Sequence, residues 1–196
     1  MPGASASTAR FFPGSSRDEG GVTLTSAAGT ERFDNVVFAC HSDQALALLE
    51  APSVQEREVL GAIGYASNDV VLHTDYPSAY PAASAPWASW NYRLGGPQQA
   101  PAALTYNMNI LQGIQAPTTF CVSLNQTALV DPAQIIARFQ YDHPQYSLAA
   151  CAAQARQAQL QGQRHSYFCG AYWGNGFHED GVVSALKVAA HFGEHL

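Results

Sequence analysis

Apolar and polar positions along the 196 residues fall into three regimes. Near the start, Val22-Thr-Leu-Thr-Ser26 alternates as a half-buried strand does, and Gly29 follows as a turn. Phe33-Asp-Asn-Val-Val-Phe-Ala-Cys40 then ends in a continuous apolar run, the pattern of a parallel strand buried on both faces. Ser42 or Asp43 is placed to cap a helix carrying Ala45, Leu46, Leu48 and Leu49, and a second helix is expected over about 54–62. The middle regime is strand-like. Segments 70–75, 88–92, 104–109 and 119–124 are rich in β-branched and aromatic residues and separated by Pro- and Gly-bearing turns, which predicts an antiparallel sheet. Asp131-Pro132 opens a short helix over 132–138, and Arg138–His143 reads as a further strand stopped by Pro144. In the last regime, 147–162 is an Ala/Gln helix closed by Gly162, and 166–172 is a buried strand. That strand runs through Trp173-Gly-Asn-Gly-Phe-His-Glu-Asp-Gly181 into the amphipathic segment 182–190. Residues 1–20, mostly Gly, Ser, Pro and Ala, read as a loose leader.

Composition narrows the function. Hydrophobic residues are 47% of the chain but charged residues only 12%, about half the usual share of roughly 25%. Glutamine fills part of the gap, with 15 Gln against 9 Lys plus Arg, and Lys187 is the sole lysine. A net charge of −6 and no basic run argue against nucleic acid as a partner. No apolar stretch approaches membrane-spanning length. The first ten residues lack the basic start and apolar core of a secretory signal, which predicts a cytoplasmic chain. Cys40, Cys121, Cys151 and Cys169 are widely spaced, without a CxxC pair, and read as reduced cysteines.

The strand, glycine-rich turn and helix at 166–190 is the segment with the most chemistry. Gly174, Gly176 and Gly181 permit close backbone approach, and the helix start aims free N–H groups outward. Glu179 and Asp180 either cap that helix or accept hydrogen bonds from sugar or ribityl hydroxyls. His178 lies within the turn, and Tyr172, Trp173 and Phe177 flank it as possible walls for a flat ligand. A capped connection with no ligand is the plain alternative. GxGxxG, GxxxxGK[ST] and GxSxG are all missing from the sequence. His191-Phe-Gly-Glu-His195 matches the H-x-x-E-H zinc pattern in letters, but it contains a glycine and has no evident third ligand, so no metal site is expected.

Several multi-residue motifs occur in a fixed order. They are Phe33–Leu46, Leu72-His-Thr-Asp75, Trp87-Ala-Ser-Trp-Asn-Tyr92, Tyr141-Asp-His-Pro144 and Phe168–Gly181. Over roughly residues 20–193 the chain resembles the C-terminal half of a bacterial FAD-dependent oxidoreductase of the flavin amine oxidase superfamily, the predicted NAD/FAD-binding proteins. The resemblance implies an α/β fold with an α+β substrate part. It implies an incomplete two-domain flavoprotein, with 21–50 and 165–196 as a partial parallel-sheet FAD domain and 51–164 as an antiparallel-sheet substrate domain. It implies noncovalent FAD, with Gly170, Ala171, Tyr172, Gly176, Phe177, His178, Glu179 and Asp180 along the cofactor. Backbone at Phe177 and His178 would face the pyrimidine edge. Trp90, Tyr92, Trp173 and Phe177 are the implied substrate contacts.

Two departures from the family pattern matter. The N-terminal unit with the dinucleotide fingerprint is missing, so the sequence reads as one part of a longer or split protein, and FAD binding by this chain alone is expected to be weak or absent. A separate chain carrying the missing half is then a candidate partner. Lys187 lies on the closing helix and does not match the flavin-proximal lysine of many amine oxidases, which turns the expectation toward desaturation or another hydride abstraction. A catalytically inactive remnant or binding module is the alternative, and the catalytic residues stay unassigned.

Overall fold

A computed structural model describes residues 14–76, 88–93 and 102–195. Trp87 and the first thirteen residues of the expected leader lie outside the described residues. The chain divides into two compact units, 1–65 with 144–196, and 66–143. The boundaries expected for the substrate domain, 51–164, therefore differ from those of the central unit, because the helices at both margins pack with the first unit.

The first unit opens with an antiparallel meander, β1 (Gly14–Asp18), β2 (Gly21–Ser26) and β3 (Gly29–Phe33). Residues 14–20 of the expected loose leader form a strand and its turn. Asp18 accepts a hydrogen bond from the Gly20 amide to close the first turn, and β1 pairs along its whole length with β2. Arg17 on β1 then reaches into the protein. Its guanidinium pairs with Glu56 and also donates to the Ser166 hydroxyl at 3.2 Å and the Ala51 carbonyl at 3.2 Å.

A short strand β4 (Val36–Phe38) pairs in parallel with β10 (Ser166–Phe168), Val36 opposite Ser166 and Phe38 opposite Phe168. The run 33–40 predicted a strand buried on both faces, yet Val37 is 45% exposed and only Phe38 is fully inside. The other edge of β10 is closed by a side chain. Gln161 accepts from the Phe168 amide and donates to its carbonyl, both at 3.0 Å, as a neighbouring strand would.

Three helices cover this pair. They are α1 (Ser42–Leu48), α2 (Val54–Leu60) and α4 (Leu148–Gln154). The N-cap of α1 is His41 rather than Ser42 or Asp43, because the Ser42 hydroxyl and amide both bond the Tyr65 hydroxyl. Ser53 and Glu56 form a reciprocal capping box at α2. The expected helix 147–162 stops at Gln154, and a 3₁₀ turn at Gln157–Gln159 redirects the chain so that Gln161 meets β10. Phe38 and Phe168 stack at 5.2 Å in a core with Ala45, Leu49, Val59, Leu60, Ile63, Ala150, Ala153, Leu160, Tyr172 and Trp173. The last helix, α5 (His178–Ala190), closes the chain, and His191 is its C-cap, with its ring against Tyr167 at 5.4 Å.

The central unit is an antiparallel sheet in the order β6-β7-β8-β5-β9, as the alternation of its segments predicts. Its strands are β5 (Gly64–His73), β6 (Trp90–Tyr92), β7 (Leu104–Asn107), β8 (Cys121–Leu124) and β9 (Ile135–Gln145). Asn107 ends β7 by capping the short helix α3 (Met108–Gln112), where a strand to 109 was expected. The expected helix 132–138 is only a 3₁₀ turn at Pro132–Gln134, after which β-branched Ile135 and Ile136 enter β9. Pro144, expected to stop the strand, lies inside it; a residue with no N–H is tolerated because β9 is an edge. One face of this sheet buries a polar row. His73 Nε2 meets the Ser123 hydroxyl at 2.9 Å, Ser123 meets Thr105 at 2.7 Å, and Gln126 donates to Thr105 at 3.2 Å. Burial lowers the His73 pKa, so the imidazole is neutral in this network. Among the described residues, no helix is long and apolar enough to cross a membrane.

Candidate functional site

The parallel strands β4 and β10 end at Phe38 and Phe168 and lead into Ala39-Cys-His41 and Cys169-Gly170, and ligands in α/β sheets bind beyond such carboxyl ends. After β10 the chain passes Gly170, makes a 3₁₀ turn at Ala171–Trp173, and crosses Gly174-Asn-Gly176 to the Phe177 N-cap of α5. Gly170 is obligatory. A Cβ there would lie 2.5 Å from Cε1 of the buried Tyr172 ring. The Gly170 amide donates to the Ser184 hydroxyl at 2.8 Å, and Ser184 in turn donates to the Gly181 carbonyl at 2.8 Å. These bonds fasten the turn to α5.

Asp180 accepts from the Asn175 amide at 3.0 Å and the Phe177 amide at 2.9 Å through one carboxylate oxygen. A Cβ at Gly174 would overlap that carboxylate, so Asp180 is the hub around which the loop is wound. Gln154 on α4 adds two further bonds, to the carbonyls of Tyr172 at 2.8 Å and Gly174 at 2.6 Å. The first backbone N–H groups of α5 have no carbonyl in their own helix to bond, and His178 and Glu179, which carry them, are exposed.

The implied cofactor residues Gly170, Ala171, Tyr172, Gly176, Phe177, His178, Glu179 and Asp180 thus form one continuous turn. Their environments differ. Phe177, His178 and Glu179 are on the surface, whereas Tyr172 is buried, its hydroxyl without a hydrogen-bond partner among the described residues. Burial pushes the Tyr172 phenol far up, and the Tyr65, Cys169 and Cys40 groups nearby add to the rise. Of the implied substrate contacts, Trp173 is in the core, its indole donating to the Phe168 carbonyl at 3.1 Å, and only Phe177 is exposed at this turn. Trp90 and Tyr92 lie on β6 of the central unit, both exposed, with Trp90 edge-on to Tyr106 at 5.1 Å.

Sequence reasoning passed over Tyr65, Tyr146, Gln154 and Ser184. Tyr65 stacks on His41 at 4.4 Å, and the Tyr146 hydroxyl would be 2.6 Å from a Cβ at Gly176. Burial raises the Tyr146 phenol, with Asp180 and Tyr65 contributing, so this ring belongs to the same neighbourhood. No local pattern marks such residues, because each is defined by a partner distant in sequence. Lys187 sits in the last turn of α5, where its charge complements the helix dipole.

Gly170→Ala tests how tightly the turn is specified. The added methyl must displace the buried Tyr172 ring, which places the expected loss in the range of about 1–3 kcal/mol found for overpacked sites. Chemical denaturation measures it, and a change below about 0.5 kcal/mol, within the range of an ordinary surface substitution, would show that the ring moves freely.

No family model matches the chain, and no curated protein matches it. Solved structures do. A fatty acid isomerase from P. acnes that produces CLA aligns with a TM-score of 0.66 at 13% identity, over 93% of this chain and 47% of its own. A protein described as a protoporphyrinogen oxidase from Exiguobacterium sp. 255-15 aligns at 0.59 and 15% identity, over 93% and 46%. Cyclohexylamine oxidase from Brevibacterium oxydans IH-35A aligns at 0.52 and 13%, over 94% and 49%. The chain has the fold of part of these three solved structures. The sequence resemblance is matched at the level of fold, and the chain spans about half the length of the solved structures it matches.

Proposed function

We propose that this chain is the C-terminal portion of an FAD-dependent oxidoreductase that takes a hydride from an amine or apolar, desaturase-type substrate. The carrying observation is the turn beyond the carboxyl ends of β4 and β10, wound around Asp180 so that the N-terminus of α5 faces outward at His178 and Glu179. Bound FAD would supply the hydride acceptor. The residues present fit it. Backbone amides at the α5 N-terminus suit an electron-rich carbonyl edge or an anion, Glu179 is free to accept from hydroxyls, and the glycines leave the backbone approachable. Asp180 and Tyr172 contribute by holding the turn. On this reading Gly170, Ala171, Gly176, Phe177, His178 and Glu179 line the cofactor, and the exposed Phe177 ring offers aromatic surface to an apolar substrate. Trp173 supports from beneath. The position of Lys187 favours C–C desaturation over lysine-assisted amine oxidation. The reading further places the protein in the cytoplasm, with noncovalent FAD and the dinucleotide-binding half supplied elsewhere, a separate chain being one source.

The test is a flavin titration of the 196-residue chain. FAD and FMN share the isoalloxazine ring and ribityl chain, so both are expected to show a shifted visible band with a Kd of about 1 mM, about −4 kcal/mol. ADP is expected not to compete. An unshifted band at millimolar protein, or full displacement of FAD by ADP, would overturn the proposal and favour an inactive remnant.

A further inference from the structure

The outer edge of β9 carries a sequence that is complementary to itself. This eleven-residue strand ends the five-stranded sheet, and its row of side chains is exposed almost throughout. Ile136, Phe139 and Tyr141 are 53%, 41% and 50% exposed. Phe139 and Tyr141 lie on one face, with their rings stacked at 5.5 Å, which puts Arg138, Gln140 and Asp142 on the other. Arg138 and Asp142 form none of the ion pairs seen among the described residues. Long exposed edges are ordinarily blunted, since their unpaired backbone groups recruit further strands.

We propose that β9 is a self-association edge, and that its occupant is β9 of a second copy of this chain, antiparallel about a two-fold axis at Gln140. That axis places Arg138 of each copy opposite Asp142 of the other, and Phe139 opposite Tyr141. Two ion pairs and two aromatic cross-strand pairs form from one short segment. The charges also select against the alternatives. A parallel in-register pairing sets Arg138 on Arg138 and Asp142 on Asp142, and a slipped antiparallel register separates each charge from its complement. Pro144, which has no N–H to donate, falls opposite Ile136 near the end of the ladder, where little pairing is lost. Such an isologous contact closes at two copies with respect to this edge. Its area, one strand against one strand, belongs with weak and transient interfaces rather than obligate ones.

Sedimentation of the full chain between about 5 and 500 μM tests the proposal, with a monomer–dimer midpoint expected near 100 μM, about −5.5 kcal/mol. Arg138→Asp or Asp142→Arg alone sets like charges opposite each other twice, and each is expected to weaken the dimer about tenfold or more. The double variant Arg138→Asp with Asp142→Arg restores both pairs and is expected to return the wild-type midpoint. Circular dichroism confirms that each variant is folded. A chain that stays monomeric throughout, a dimer indifferent to the single changes, or a double variant that fails to recover overturns the proposal. Association with a different protein through this edge, with no self-association, overturns it equally.

Discussion

Replacing Arg17 by alanine is expected to lower the stability of this chain by about 3–5 kcal/mol at neutral pH, the usual loss when a buried ion pair is broken from one side. The side chains of Arg17 and Glu56 are only 1% and 2% exposed. Burial alone would raise the Glu56 carboxyl. Hydrogen bonds from Arg17 and from the Ser53 amide outweigh it and hold the group below its ordinary value of 4.5. A depressed carboxyl contributes stability that is fully present above 4.5 and is lost as pH falls through the lower folded value. Acid destabilisation of the wild type is thus expected to begin below 4.5, and Arg17→Ala is expected to flatten the dependence, because Glu56 then keeps only its Ser53 contacts to favour the ionised form. Arg17→Met with Glu56→Leu should recover most of the loss, since no buried charge remains. Urea melts of the wild type and the two variants measure these changes, and a loss under about 1 kcal/mol for Arg17→Ala would mean that solvent reaches the pair.

The second large effect is expected at Phe168. This ring is fully buried, stacks on Phe38 across the parallel pair, and carries backbone groups bonded by Gln161 and by the Trp173 indole. Phe168→Ala removes the contact that aligns β10 with β4 and leaves a cavity under the glycine-rich turn, costing about 3–5 kcal/mol. Phe168→Leu, nearer in volume, should cost markedly less. Thermal unfolding distinguishes the two. Equal losses for both variants would locate the stability of the pair in its backbone ladder instead of its rings.

The sequence makes some of this legible and hides the rest for physical reasons. The antiparallel middle, the strand-turn-helix at the C-terminus and the parallel character of 36–38 follow from side-chain periodicity and turn residues, which are local signals. The turn at 170–181 stands out in part because two of its glycines are required by contacts within a few residues, Gly170 by Tyr172 and Gly174 by Asp180. What is hidden depends on distant partners. Arg17 sits in a Gly- and Ser-rich stretch that reads as a leader, and its buried partner Glu56 lies 39 residues on, beyond the reach of any local pattern. Gln154 and Gln161 look like surface positions on an Ala/Gln helix, yet their amides serve as hydrogen-bond partners for β10 and the turn. Trp173 reads as a possible ligand wall beside the turn, but its indole proton is claimed by Phe168. Side-chain type alone does not separate these cases; the direction of the backbone does.

The central claim is that the turn beyond β4 and β10 receives a flavin. Site-resolved amide NMR of the chain during an FMN titration tests it most directly. Shifts are expected at Gly170, Ala171 and the amides from Gly176 to Glu179 alone, with Gly170→Ala abolishing them while β1–β3 resonances stay in place. Shifts scattered over the central sheet, or a turn that stays silent at saturating FMN, would contradict it.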